Sequence, residues 1–290
     1  MTTALMERVD GRTALRSLLG TWSTELTTRD SKALDDARRT LAAGAEVFIA
    51  ALPNDTPDMT VAAAARLRAA GLTPVPHIVA RRLPDLAAFD ALLARLEAEA
   101  GIDRALVLGG DRDRPVGPFH SALQLIETGL LQRRGVRRIF VSCYPEGHPR
   151  IPDEVLDDAR AAKLRAAEAA GLHATLLSQF CFAPGPVLAL AERMRALGQT
   201  APFRVGVAGP ARRATLARYA LTCGIGPSLR ALKARGELAR TMLAAETPGT
   251  LLAALAAAQA GRPALGLEGA HFFTFGGLAR SAEFARDLLA

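Results

Sequence analysis

Cysteines, aromatic side chains and long apolar runs are all scarce in this 290-residue chain, and each scarcity excludes something. The three cysteines, Cys143, Cys181 and Cys223, are an odd number, lie far apart, and show none of the short spacings of zinc or redox motifs. They read as reduced, mostly buried thiols. Only 5% of the residues are aromatic and the arginines are scattered, so the clustered cationic stripe with stacking platforms that marks a nucleic-acid groove is missing. No segment reaches the length of a membrane span, and the N-terminus, with Glu7 and Asp10, has no signal-peptide pattern. A cytoplasmic protein with no nucleic-acid and no membrane partner is expected. The text after the first apolar run, "STELTTRDSKAL", contains no glycine and hence no Gly-x-Gly-x-x-Gly fingerprint, and no Gly-Lys-Ser phosphate loop occurs. Neither His77 nor His271 has a second ligand at metal spacing, so no metal site is expected.

What is present is an ordinary globular balance, 50% hydrophobic and 22% charged, enough to bury a large core. The 36 basic against 29 acidic residues give +7, a field that would draw an anionic small molecule such as a pyrophosphate or polycarboxylate. Eight short apolar runs, at 20–26, 46–52, 72–79, 104–110, 138–144, 173–180, 203–209 and 269–275, alternate with amphipathic stretches. Several of those stretches begin near Ser, Pro or Asp and end at Gly. Strand and helix repeated eight times predict parallel strands with crossover helices, whose closed form is the (β/α)8 TIM barrel; an open doubly wound sheet is the rival. The expectation is one α/β domain over 1–290, with 1–12 loosely ordered and two helical segments, near 210–222 and 228–260, between the seventh and eighth strands.

A barrel does its chemistry at the carboxyl ends of its strands, and polar residues gather there: Glu25, Asn54, Asp55, His77, Asp111, Tyr144, Glu146, His148, Gln179 and His271. Glu25, inside an alternating strand, is either a general acid or a carboxylate paired with Arg29. Asp111 follows Gly109 and Gly110, which would let the backbone approach a planar ligand, or it caps its own turn. Pro145 and Pro149 stiffen the loop that carries Tyr144 and His148. Gln179 offers a donor and an acceptor that suit the edge of a heterocycle such as a pterin. Most of Phe180, Phe182, Phe272, Phe273 and Phe275 read as core, with one or two free to stack on a ring.

Taken in order, the acid in the first strand, "LVLGGD" ending the fourth, "CYPEGHP" ending the fifth, "SQF" ending the sixth and "HFFTF" in the eighth resemble methylenetetrahydrofolate reductase over about residues 20–275. The resemblance implies an NADH- or NADPH-dependent oxidoreductase that reduces 5,10-methylenetetrahydrofolate to 5-methyltetrahydrofolate, ordinarily through bound FAD. It implies catalytic roles for Glu25 and Asp111, substrate binding by Gln179, Phe180 and Asp111, and cofactor binding by His77, Gly110, Tyr144, His148 and Lys163. The departures are local. "ELTTRD" lacks the family's prolines after the first acid, Gly109 stands where the family has arginine, and the second strand exits through "AALPNDTP". The helix after "YPEGHP" offers only Arg160, Lys163 and Arg165 as basic groups. Because the folate-contacting residues are better kept than the FAD-anchoring ones, direct hydride transfer with FAD weakly held or absent is expected. An ordinary flavin enzyme and a non-redox folate-binding or methyl-transfer protein are the alternatives, and a homo-oligomer is compatible with each.

Overall fold

The structure, a computed structural model, describes residues 2–211, 215, 216 and 248–290, with side chains from residue 11 onward. Its elements run α1 (Thr2–Leu19), β1 (Ser23–Thr27), α2 (Ser31–Thr40), β2 (Glu46–Ala50), α3 (Pro57–Ala69), β3 (Thr73–Val79), a 3-10 turn (Ala80–Arg82), α4 (Leu86–Ala100) and β4 (Arg104–Leu108). They continue with α5 (Ala122–Glu127), α6 (Leu130–Arg133), β5 (Arg138–Cys143), α7 (Asp153–Ala169), β6 (His173–Ser178), α8 (Pro184–Ala196), β7 (Phe203–Ala208), α9 (Gly249–Gly261), a 3-10 turn (Pro263–Leu265), β8 (Leu267–Phe273) and α10 (Leu278–Leu289). The strands hydrogen-bond in chain order and close, giving the (β/α)8 barrel. All eight anticipated strands form. The chain begins with α1, which covers Thr2–Leu19. Of the two helical segments expected between β7 and β8, α9 is the described part; residues 212–214 and 217–247, Cys223 among them, lie outside the described residues.

Contacts group the chain into two compact units: Met1–Trp22 with Cys143–Leu156 and Leu177–Ala290, and Ser23–Ser142 with Asp157–Leu176. In the second, helix starts follow from side-chain capping. Asp30 accepts from the N–H of Ala33 at 2.8 Å and Asp85 from that of Ala88 at 2.7 Å. Thr56, followed by Pro57, accepts from Met59 at 3.4 Å, and α4 ends on Gly101 in the left-handed region. Registers fix the shared faces. Glu25 pairs with Phe48, Phe48 with Val75, His77 with Leu106, and Leu106 with Phe140. The Phe48 and Phe140 rings, on strands that are not neighbours, lie 4.8 Å apart, so this shared face is the barrel interior.

Pro74 and Pro76 sit inside β3, where a missing N–H would normally break a ladder. The Thr73 N–H donates to the Ala45 carbonyl at 2.9 Å, towards β2, so by alternation the amide positions of Pro74 and Pro76 point towards β4. The ladder with β4 begins only at His77. The prolines therefore occupy positions with no partner to lose.

In the first unit, α1 packs on β8, α9 and α10. Arg16 donates to the carbonyls of Leu289 at 2.9 Å and Ala290 at 2.7 Å, and Trp22 meets Phe272 edge to face at 5.7 Å. β7 and β8 pair through a bulge: Phe203 faces Leu267 and Val205 faces Ala270, so β8 carries one extra residue. That residue step includes Gly269, at φ 79°, where a Cβ would stand 2.1 Å from the Thr21 carbonyl oxygen. Gly269→Ala is expected to cost about 2–4 kcal/mol, from left-handed backbone strain and overpacking together. A urea titration should show a lower midpoint with an unchanged slope, and an unchanged midpoint would contradict this account.

Candidate functional site

At the strand exits of the second unit, Glu25 is half-buried on the interior face, beside its register partner Phe48. His77 meets the Phe48 ring edge to face at 6.2 Å. The possible pairing of Glu25 with Arg29 gives way to a different one. Arg29 donates from Nε to Asp55 at 3.1 Å and from Nη2 to the Asn54 carbonyl at 2.9 Å, while the other Asp55 oxygen accepts from the Leu52 N–H at 2.9 Å. Asn54 and Asp55 thus build the β2 exit loop, and Arg29 serves that loop.

Gly110 follows β4 with φ 102°, and a Cβ there would stand 2.6 Å from Val79 Cγ1, so only glycine fits. A Cβ at Gly109 would meet nothing closer than 3.8 Å. The Asp111 side chain is 71% exposed, with one oxygen 3.8 Å from Nη2 of Arg82. Arg82 escaped the sequence reading, which treated the arginines as scattered helical charge. A pair of arginines directly after an apolar strand was the available signal. Arg81, its neighbour, clamps the segment after β4 by donating to the carbonyls of His120 at 3.0 Å and Arg112 at 2.7 Å.

Lys163 lies half-buried on α7. On the same helix Arg160 is 4% exposed and ion-paired to Asp157 at 2.8 Å, and Arg165 is exposed. With Arg160 withdrawn in this way, α7 does not present the row of basic groups that the two phosphates of FAD need. Among the described residues, those of α7 fit that cofactor poorly.

At the strand exits of the first unit, Tyr144 and His148 pack edge to face at 5.1 Å, and His148 Nδ1 accepts from the Arg150 N–H at 3.2 Å. Both therefore shape the loop after β5. Gln179 donates its N–H to the Cys143 carbonyl at 2.9 Å, and its Oε1 accepts from the Phe180 N–H at 3.2 Å, which holds the amide plane. Phe180 is buried at the centre of an aromatic group, 5.7 Å from Phe182, 5.5 Å from Phe273 and 5.3 Å from Phe275. Phe182, Phe273 and Phe275 are only partly covered, and Phe275 has φ 48°, an uncommon conformation for a bulky residue. Gly206 on β7 lets this wall close up: a Cβ would stand 2.3 Å from the Ser178 carbonyl oxygen, and the Gly206 N–H donates to Ser178 Oγ at 2.8 Å. His271 is buried against Phe273 at 4.8 Å.

Cys143 and Cys181 are buried thiols. Burial, then the charge of Glu146 and the neighbouring Cys143, pushes the Cys181 thiol well up, so it stays protonated and non-nucleophilic. Among the described residues, no group of three His, Cys, Asp or Glu could hold a metal ion, and no helix is long and apolar enough to cross a membrane.

No family model matches the chain. Among solved structures it is similar to 2,3-dimethylmalate lyase of the PEP mutase/isocitrate lyase superfamily, with a TM-score of 0.51 at 14% identity over 99% of this chain and 86% of that one. It is also similar to a Yersinia pestis DHPS bound to a pterine-sulfa conjugate, with a TM-score of 0.49 at 16% identity over 95% and 94% of the two chains. For dihydropteroate synthase from Thermus thermophilus the TM-score is 0.49 at 16% identity over 94% and 95%. The lyase likeness shows the barrel fold alone.

Burial, then the charge of Arg150, lowers the pKa of His148 below the usual histidine value. The unfolded chain then binds the proton more tightly, so stability is present above the unfolded pKa and is lost as pH falls below about 6.5. His148→Gln should flatten that acid-side decline in melting temperature. A histidine chemical-shift titration should place His148 below the free-histidine value, and a midpoint at or above it would contradict the assignment.

Proposed function

We propose that the protein is an oxidoreductase that reduces 5,10-methylenetetrahydrofolate to 5-methyltetrahydrofolate, with hydride passing directly from NADH or NADPH to the folate. The observation that carries this reading is Glu25. It is a carboxyl group half-buried on the interior face, beside an aromatic ring and at the strand position where the resemblance expects the acid. Ring opening breaks the bond between the methylene carbon and N10, and a proton reaches the departing amine, the task assigned to Glu25. The iminium left behind is a cation that a carboxylate such as Asp111 stabilises. Hydride from the nicotinamide then adds to the methylene carbon and makes the methyl group. The balance is one nicotinamide oxidised, one proton taken up and one folate reduced. Gln179 is assigned to the pterin, with Phe180 buried behind it rather than stacking on the ring, and His77 and Gly110 are assigned to the nicotinamide ligand.

Direct transfer is preferred to a flavin relay because Arg160, one of three basic groups on α7, is buried in an ion pair with Asp157. The reaction then requires both large ligands to be held together at reacting distance.

The test combines an absorption spectrum of the purified protein between about 300 and 600 nm, before and after FAD addition and desalting, with an assay of NADH and NADPH oxidation by methylenetetrahydrofolate. Folate-dependent turnover by a colourless protein is the expected result, and Glu25→Gln should lower it about 10²- to 10⁴-fold while leaving folate affinity in place. Tightly retained flavin would replace direct transfer with the relay. No turnover with either nucleotide, with or without FAD, would end the oxidoreductase reading.

A further inference from the structure

Among the described residues, Arg82 presents a donor edge with no acceptor within hydrogen-bond reach. A guanidinium carries five N–H groups, and the Nε–H and one Nη2–H point the same way, forming a fork that matches two oxygens of a carboxylate or phosphate. Two other arginines of the same unit use that fork fully. Arg134 grips Asp90 with Nε at 2.8 Å and Nη2 at 2.6 Å, and Arg104 grips Asp103 with both nitrogens at 2.8 Å.

Arg82 is held from its other end, where Nη1 donates to the Leu52 carbonyl at 2.5 Å. That contact leaves the fork pointing away from the β2 loop. Its Nε is buried and has no hydrogen-bond partner among the described residues. Its Nη2 lies 3.8 Å from the nearest Asp111 oxygen, beyond hydrogen-bond reach. A buried charged donor left in this way is costly and calls for an explanation. Two charged neighbours among the described residues are committed elsewhere. Arg81 is committed to the carbonyls of His120 and Arg112, and the Asp55 carboxylate to Arg29 and the Leu52 N–H.

We propose that the Nε/Nη2 edge of Arg82 is an oxyanion-binding site at the exit of β3, which takes two oxygens of a ligand carboxylate or phosphate. Asp111 is the weak occupant of its mouth. The existence of the site rests on the geometry of Arg82. The owner of the oxyanion rests on the function proposed above, whose ligands carry both chemistries: the phosphates of the nicotinamide nucleotide and the glutamate carboxylates of the folate. With Gly109 in the position where the resembling family carries an arginine, Arg82 supplies a cation from the turn after the adjacent strand.

The test titrates the full-length protein with inorganic pyrophosphate, NADH, NADPH and 5-methyltetrahydrofolate, in the wild type and in Arg82→Lys and Asp111→Asn, at constant ionic strength. Lysine keeps the charge and can still reach the Leu52 carbonyl but has no fork, so pyrophosphate affinity should fall about tenfold or more. Asp111→Asn removes a competing negative charge and should tighten pyrophosphate binding about two- to fivefold, an opposite sign that damage to the fold would not produce. If Arg82→Lys weakens the nucleotides alone, the oxyanion is their phosphate; if it weakens the folate alone, it is the glutamate carboxylate. A pyrophosphate response to both substitutions in a protein that never turns over would keep the site and overturn the proposed reaction. Equal pyrophosphate affinity in wild type and Arg82→Lys, or weaker binding in Asp111→Asn, would overturn the site, whatever the turnover.

Discussion

In a parallel ladder, each strand turns its backbone groups alternately to two neighbours and its side chains alternately to two faces, so one register decides the company of every residue. Pairing Ser23 with Glu46 puts Glu25 beside Phe48, and the β2–β3 register puts Val75, and two residues on His77, on the same interior face. A slip of one residue would send Glu25 towards the helices and bring Leu26 inside. The start of β2 is held by charge as well as by backbone. Glu46 accepts from Arg104 and lies 3.9 Å from Arg138, and the paired acids hold the Arg104 guanidinium firmly protonated. Glu46, two residues before Phe48 on β2, thus ties that strand by charge to the starts of β4 and β5.

The arginine excess has a structural use that composition conceals. Arg68 donates to the carbonyls of Ala100 and Gly101 at the end of α4, Arg16 to those of Leu289 and Ala290, and Arg195 to Ala201, Ala264 and Leu265. Helix ends and tight turns leave carbonyls without intrahelical partners, and the planar fork satisfies two at once. Much of the cationic character is thus spent stitching loops and helix ends, which is why the positive charge is spread over the chain and forms no stripe.

The barrel was legible because its strands are short, apolar and punctuated by glycine, and a helix with a side-chain cap or capping box follows each of the first four. The α1 helix was not, because the polar residues among its first twelve positions mask a segment whose later Leu18 and Leu19 are fully buried. In the candidate site, residue types at strand ends could be read, but their commitments could not. Arg29 sits near Glu25 in sequence yet serves Asp55, and His148 turns back onto its own loop. Arg82 is the reverse case: nothing in "VARRLPD" separates it from Arg81, and only the direction of each guanidinium shows that one is committed to carbonyls while the other keeps an edge unused.

The two prolines of β3 bear on synthesis as well as on the finished sheet. A chain emerging from the ribosome completes β3 before β4 exists, and in that interval the outer border of the growing sheet is exposed to other nascent chains. With Pro74 and Pro76 aimed at that border, its first half offers no N–H for a foreign strand to engage. The legitimate partner loses nothing, since its own pairing starts at His77. A feature that looks like a flaw in a central strand is, for the half-made protein, a guard against joining the wrong sheet.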